Sequence, residues 1–137
     1  MRGMVWLSLA CAAGLAGFPA GIATAQERAA PTDTKGARTE AVSALDVTHA
    51  FEDLDGRQLR IRRITVEPGG YLAVHEHTGR PGSVFVLEGT FTEHRDGSEA
   101  RDYRPGQAFT EPVNIRHWAE NRGTTPLVFL AVDIFKP

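Results

Sequence analysis

From Leu45 onward the chain alternates between short β-type runs and clusters of turn residues, at intervals of about ten positions. Leu45 to Phe51 is followed by Asp55-Gly56, Leu59 to Val66 by Pro68-Gly69-Gly70, and Tyr71 to His77 by the loop from Gly79 to Gly82. Val84 to Leu87, Thr90 to Arg95, Ala100 to Tyr103 and Leu127 to Phe135 continue the series, with Gly89, Asp96-Gly97 and Pro105-Gly106 as breaks. This spacing predicts an all-β sandwich or barrel, and no stretch carries the periodicity of a long amphipathic helix. One segment departs from simple alternation. In LRIRRITV, Leu59 and Ile61 share one face while Ile64 and Val66 fall on the other, which predicts a β-bulge near Arg62 and Arg63.

Ahead of the β-rich region the texture is different. Residues 26–44 are polar, rich in Ala and Thr and without sustained apolar periodicity, and are expected to form a flexible tether. Residues 1–25 place Arg2 before an apolar run and end in Ala23-Thr24-Ala25, the pattern of a secretory signal peptide cleaved after Ala25. The remaining domain, 45–137, is then expected to be periplasmic or secreted, and soluble once the signal is removed. With 15 Lys+Arg against 17 Asp+Glu the net charge is only −2, which argues against nucleic acid or an anionic membrane as partner. Cys11 is the single cysteine and lies within the signal segment, so the domain itself has no disulfide, no thiolate nucleophile and no Cys metal ligand. Exposed edge strands in a sandwich of this size make a homodimer a reasonable expectation.

The candidate chemistry is in the histidines. In a strand, residues i and i+2 point to the same face, so His75 and His77 lie side by side, their roots about 7 Å apart, while Glu76 faces away. A third histidine, His117, sits in GQAFTEPVNIRHWAEN, five residues after Pro112 and four before Asn121. Together the two segments resemble the paired motifs of the cupin superfamily, G-x5-H-x-H-x3,4-E-x6-G and G-x5-P-x-G-x2-H-x3-N. The first runs through Gly69, His75, His77 and Gly89, with Gly82 where the family has its glutamate. The second runs through Gly106, Pro112, His117 and Asn121, with Asn114 in place of a glycine. Asn is the next best residue at a left-handed backbone position, so that exchange is mild. Gly82 for glutamate is not.

The resemblance implies a single-domain antiparallel jelly-roll β-barrel of about six to eight strands. It implies a divalent transition metal held by His75, His77 and His117, with Fe, Zn, Mn and Cu not distinguished by the residues. Three neutral imidazoles leave such an ion its full positive charge and open coordination positions, an arrangement similar to that of cupin dioxygenases acting on small chelating substrates. An oxidoreductase of this dioxygenase-like kind is therefore the leading expectation. A non-enzymatic module binding a metal or small ligand, and a metal-assisted lyase or isomerase, are the alternatives. Arg80, in the loop after the histidine pair, is the candidate contact for a substrate carboxylate. Glu93, Glu111 and Glu120 could each replace the missing carboxylate, although a solvated or hydrogen-bonded surface role is the simpler expectation for all three. His94 is read as a surface histidine beside the Asp96-Gly97 hairpin, and His49 as lying outside the chemistry. Trp118 should point away from the metal, and Phe85, Phe91, Phe109, Phe129 and Phe135 should fill the core.

Overall fold

The structure, a computed structural model, describes residues 28–50 and 54–137. The expected signal peptide, residues 1–25, lies outside the described residues. Eight strands form: β1 (Lys35–Asp46), β2 (Gln58–Glu76), β3 (Gly82–Glu88), β4 (Phe91–Arg95), β5 (Arg101–Tyr103), β6 (Ala108–Glu111), β7 (Arg116–Glu120) and β8 (Leu127–Phe135). All pairings are antiparallel and follow the order β5-β4-β7-β2-β8-β3-β6, with β1 added along β2. No helix occurs among the described residues. The result is the nearly closed antiparallel barrel that the spacing of runs and turns implies.

The long strand β2 organises the barrel. Its first half pairs with β8, from Gln58 opposite Phe135 to Val66 opposite Leu127, and its last residues pair with β7, with His75 opposite His117. The Pro68-Gly69-Gly70 stretch does not end the strand as expected. It is the point where the neighbouring chain crosses closely, for a side chain built on Gly70 would place its Cβ 2.8 Å from the Lys35 carbonyl oxygen and 2.9 Å from that of Glu67. Only glycine leaves room there.

That neighbouring chain is β1, which lies largely in the segment expected to be a tether. It pairs with β2 from Lys35 opposite Tyr71 to Asp46 opposite Gln58. Most of its side chains are solvent-exposed, so the hydrogen-bonded ladder, not burial of an apolar face, holds it. This explains why its sequence carries no hydrophobic alternation. The bulge expected near Arg62 and Arg63 is likewise corrected. The β2–β8 register is unbroken there, and the irregularity lies in β1, between Ala41 and Ser43. From Arg60 to Val66 the even-numbered residues of β2 face inward, and the register shift between Leu72 and His75 moves the odd-numbered histidines inward further on, so Arg60 and Arg62 lie on the same face as the buried Ile64 and Val66. What looked like a phase break is a pair of interior arginines.

They are accommodated by Asp133 on β8, whose side chain is only 1 % exposed. Arg60 donates to it through Nε at 3.0 Å and Nη2 at 2.9 Å, Arg62 through Nη2 at 3.0 Å, and Arg80 through Nη1 at 3.0 Å. Burial alone would raise the Asp133 carboxyl, but the hydrogen bond from Arg60 and the charges of Arg62 and Arg60 hold it below its ordinary value.

The apolar core is aromatic at its centre. Phe91 packs edge-on to Phe129 with ring centroids 4.9 Å apart, and meets Phe109 at 5.0 Å. Phe85 does not join them. It is 42 % exposed, because Val84 and Val86 take the inward positions of β3. Phe135 lies instead beneath the Arg60 guanidinium, 3.7 Å from its ring centre.

Candidate metal centre

Strand parity delivers the three histidines to one spot. His75 and His77 leave β2 on its interior face, although His77 is one residue past the strand's last paired position, and His117 leaves β7 directly opposite His75. The Nε2 atom of His117 lies 3.1 Å from that of His75 and 3.0 Å from that of His77. Each ring is oriented by its other nitrogen. His75 Nδ1 donates to the Ala73 carbonyl at 2.9 Å, His77 Nδ1 to the Arg80 carbonyl at 3.0 Å, and His117 Nδ1 to the Glu93 carboxylate at 2.9 Å.

A carbonyl or an ionised carboxylate can only accept, so the proton of each neutral ring is on Nδ1 and a lone pair is on Nε2. The His117 lone pair faces those of His75 and His77 at 3.1 and 3.0 Å, and all three lie within 4.8 Å of one another, so they repel unless a cation lies among them. Donors about 2.0–2.1 Å from a common ion are separated by roughly 3.0–3.4 Å, the spacing that His117 makes with each of the other two, so the residues fit a transition metal. His75, His77 and His117 form the one group of this kind among the described residues.

Electrostatics favour the neutral rings that a metal needs. Burial, followed by the nearby Arg80 charge, lowers His77 to a pKa of about 4. Burial and the neighbouring His117 also lower His75. A histidine whose folded pKa lies below its ordinary 6.5 binds fewer protons when folded, so its contribution to stability is present above 6.5 and lost as pH falls towards about 4. The metal-free protein should therefore melt at progressively lower temperature across that interval, measurable by thermal denaturation in chelator. A flat profile between pH 6.5 and 4 would contradict the buried, neutral triad.

The three glutamates expected at the surface are all buried: Glu93 at 2 %, Glu111 at 7 % and Glu120 at 6 % exposure. Glu93 receives His117 Nδ1, Arg95 Nε at 2.8 Å and the Tyr103 hydroxyl at 3.2 Å. Burial would raise this carboxyl, but the hydrogen bonds from His117 and Arg95 outweigh it and keep it ionised. It orients a histidine and increases its basicity, the arrangement seen where a carboxylate supports a metal ligand. Replacing Glu93 with glutamine should weaken metal binding by about 10–100-fold while the histidines remain in place, readable by competition with a chromogenic chelator. The sequence carried a signal for this role: Glu93 shares its strand face with Phe91, which is core.

Glu120 lies on the opposite face of the sheet and serves His94. That histidine is not a surface residue. It is 5 % exposed, stacks on Trp118 at 3.8 Å between ring centres, and pairs with Glu120 at 2.9 Å. Trp118 does point away from the triad, as expected. Asn121, as expected, organises the β7–β8 turn, donating to the Val66 and Thr125 carbonyls at 2.9 and 2.8 Å. Asn114 has the left-handed backbone foreseen for it, with φ of 67°.

Glu111 faces the triad itself. Its Oε1 is 3.5 Å from His117 Nε2 and its Oε2 3.7 Å from His77 Nε2. Burial raises its carboxyl above the ordinary value, against the opposing pull of His117 and Arg80.

The triad opens on a cavity of about 300 Å³. Ile64, Phe129 and Ala131 form apolar wall, and Arg62 and Arg80 add positive charge. Arg62 and Arg80 are both engaged by Asp133, but Arg62 Nε, buried in the cavity wall, has no hydrogen-bond partner.

The family model described as "Cupin domain" matches residues 62–133. The chain belongs to the cupin family. This cupin is also 31 % identical over 84 residues to germin-like protein 1 of Brassica napus, covering 58 % of the chain and 41 % of that protein. The chain thus spans well under two thirds of that curated relative. Among solved structures, the polyketide cyclase RemF of Streptomyces resistomycificus superimposes with a TM-score of 0.59 at 20 % identity, over 76 % of this chain and 68 % of that one, a likeness of fold. A chain from the structures of the DMSP lyases RdDddP and RnDddQII gives a TM-score of 0.50 at 25 % identity, over 56 % of this cupin and 38 % of that chain.

Proposed function

We propose that this cupin is a metal-dependent enzyme that acts on a small anionic substrate able to chelate the ion, by lyase or isomerase chemistry. The observation that carries this reading is the convergence of three Nε2 lone pairs on a cavity that also presents Arg62 and Arg80. His75, His77 and His117 would hold a divalent transition ion, which supplies Lewis-acid polarisation of a bound oxygen. Arg62, with its free Nε, would take the substrate's anionic end, and Arg80 would add charge at the same wall. Ile64, Phe129 and Ala131 would exclude water around the reacting carbon. The partial likeness to the DMSP lyase structures supports non-oxidative chemistry on this scaffold.

The test is binding and turnover of a panel of small 2-hydroxy- and 2-oxo-carboxylates by protein loaded with Fe, Zn or Mn, followed by mass spectrometry. Metal-dependent conversion without oxygen, weakened by Arg62→Gln, is the expected result. Equal binding of carboxylates and their neutral amides would overturn the anionic substrate. The second reading is dioxygenase-like oxidation, which is favoured if the three imidazoles are the ion's only protein donors. Stoichiometric oxygen uptake by the iron-loaded protein with substrate would establish it in place of the first.

A further inference from the structure

The position at which the first cupin motif has its glutamate is Gly82 here, yet a buried carboxylate faces the histidines from another strand. Gly82 on β3 pairs directly with Glu111 on β6. Directly opposed residues of an antiparallel pair point to the same face, with Cβ atoms about 4.5–5.5 Å apart. A carboxylate can therefore move from one position to the other and still reach the same interior point. The two positions also exclude each other. A Cβ built on Gly82 would lie 2.8 Å from Glu111 Oε2 and 3.0 Å from the Val132 carbonyl oxygen, so a side chain at position 82 would displace the Glu111 carboxylate.

Glu111 is 7 % exposed, and its two oxygens approach His117 Nε2 and His77 Nε2 at 3.5 and 3.7 Å. Those nitrogens carry lone pairs, because their rings donate through Nδ1. Neither can hydrogen-bond the carboxylate, and an anion buried against lone pairs is repelled by them. A divalent ion among the four groups resolves both conflicts. We propose that Glu111 is the fourth protein ligand of the ion, a carboxylate relocated across the β3–β6 pair from position 82 to position 111. The centre is then three imidazoles and one carboxylate, with a formal charge one unit lower than the histidines alone would leave. The glycine at 82 is the vacancy that the relocated side chain requires.

The inference rests on the three-histidine reading, and the experiment separates the two. Full-chain protein is loaded with Co(II), and its affinity, stoichiometry and visible absorption spectrum are compared with those of Glu111→Gln, His117→Ala and the double variant Gly82→Glu/Glu111→Gly. Glu111→Gln keeps the side chain's shape, should weaken Co(II) binding at least about tenfold, and should alter the absorption bands. The double variant, checked for folding by its melting transition, should recover affinity. Unchanged affinity and spectrum in Glu111→Gln, with binding abolished in His117→Ala, would overturn the fourth ligand and leave the histidine site intact. A folded double variant that fails to recover would overturn the relocation. Retention of Co(II) by His117→Ala would overturn the histidine site and this inference with it.

Discussion

Protein carrying His117→Ala should emerge from metal loading and desalting essentially metal-free, while the unaltered protein keeps one equivalent. His117 is the histidine shared by both short contacts of the triad, at 3.1 Å to His75 and 3.0 Å to His77. It is also the one whose Nδ1 is held by a carboxylate. Its removal takes away a donor and leaves Glu93 without its histidine partner. The loss of affinity should exceed the roughly 10–100-fold associated with removing only a ligand's supporting partner. Metal analysis on desalted protein reads the result directly. Equal metal in both proteins would mean that the triad is not the binding site.

The second large effect is on stability. Asp133→Ala should destabilise the fold by about 3–5 kcal/mol, the usual result of stranding buried charge when its partner is removed. Asp133 is 1 % exposed, while the three guanidiniums it accepts are 20–23 % exposed. Without it, three cations on β2 and the following loop face one another across the barrel interior. A fall in melting temperature of at least about 10 °C is expected for a domain of this size. Asp133→Asn separates charge from shape, because it keeps an acceptor of the same volume. It should recover only a minor part of the loss. Near-equal stability of all three proteins would show that solvent screens the cluster.

These two residues mark what the sequence could and could not reveal. The histidines were legible because alternation along one strand decides which side chains share a face, and His117 followed from the spacing of a recurring motif. Asp133 and the inward arginines were not, because their compatibility depends on register between β2 and β8, which alternation in one segment does not specify. The same limit concealed the carboxylates. Glu111 is a polar letter whose burial becomes evident only when β3 is set beside it, and the face that Glu93 shares with Phe91 hints at its burial without naming its histidine partner on β7. Strand β1 was hidden for a different reason. An edge ladder can form from backbone hydrogen bonds alone, and such a strand need not write any apolar pattern into its side chains.

The convergence of His77, just past β2, and His117 on β7, 40 residues apart in the chain, has a mechanical meaning. The only cysteine is Cys11, so nothing covalent fastens the sheet that carries the histidines. An ion bound to the three histidines would add a tie across the β2–β7 pairing, which is otherwise held by backbone hydrogen bonds and packing, and would couple the folding equilibrium to the concentration of metal around it. At a free metal level one hundred times the dissociation constant, the folded state gains about 2.7 kcal/mol by mass action. Resistance to unfolding would then depend on metal supply, and scarcity would select against the protein's persistence as well as its activity.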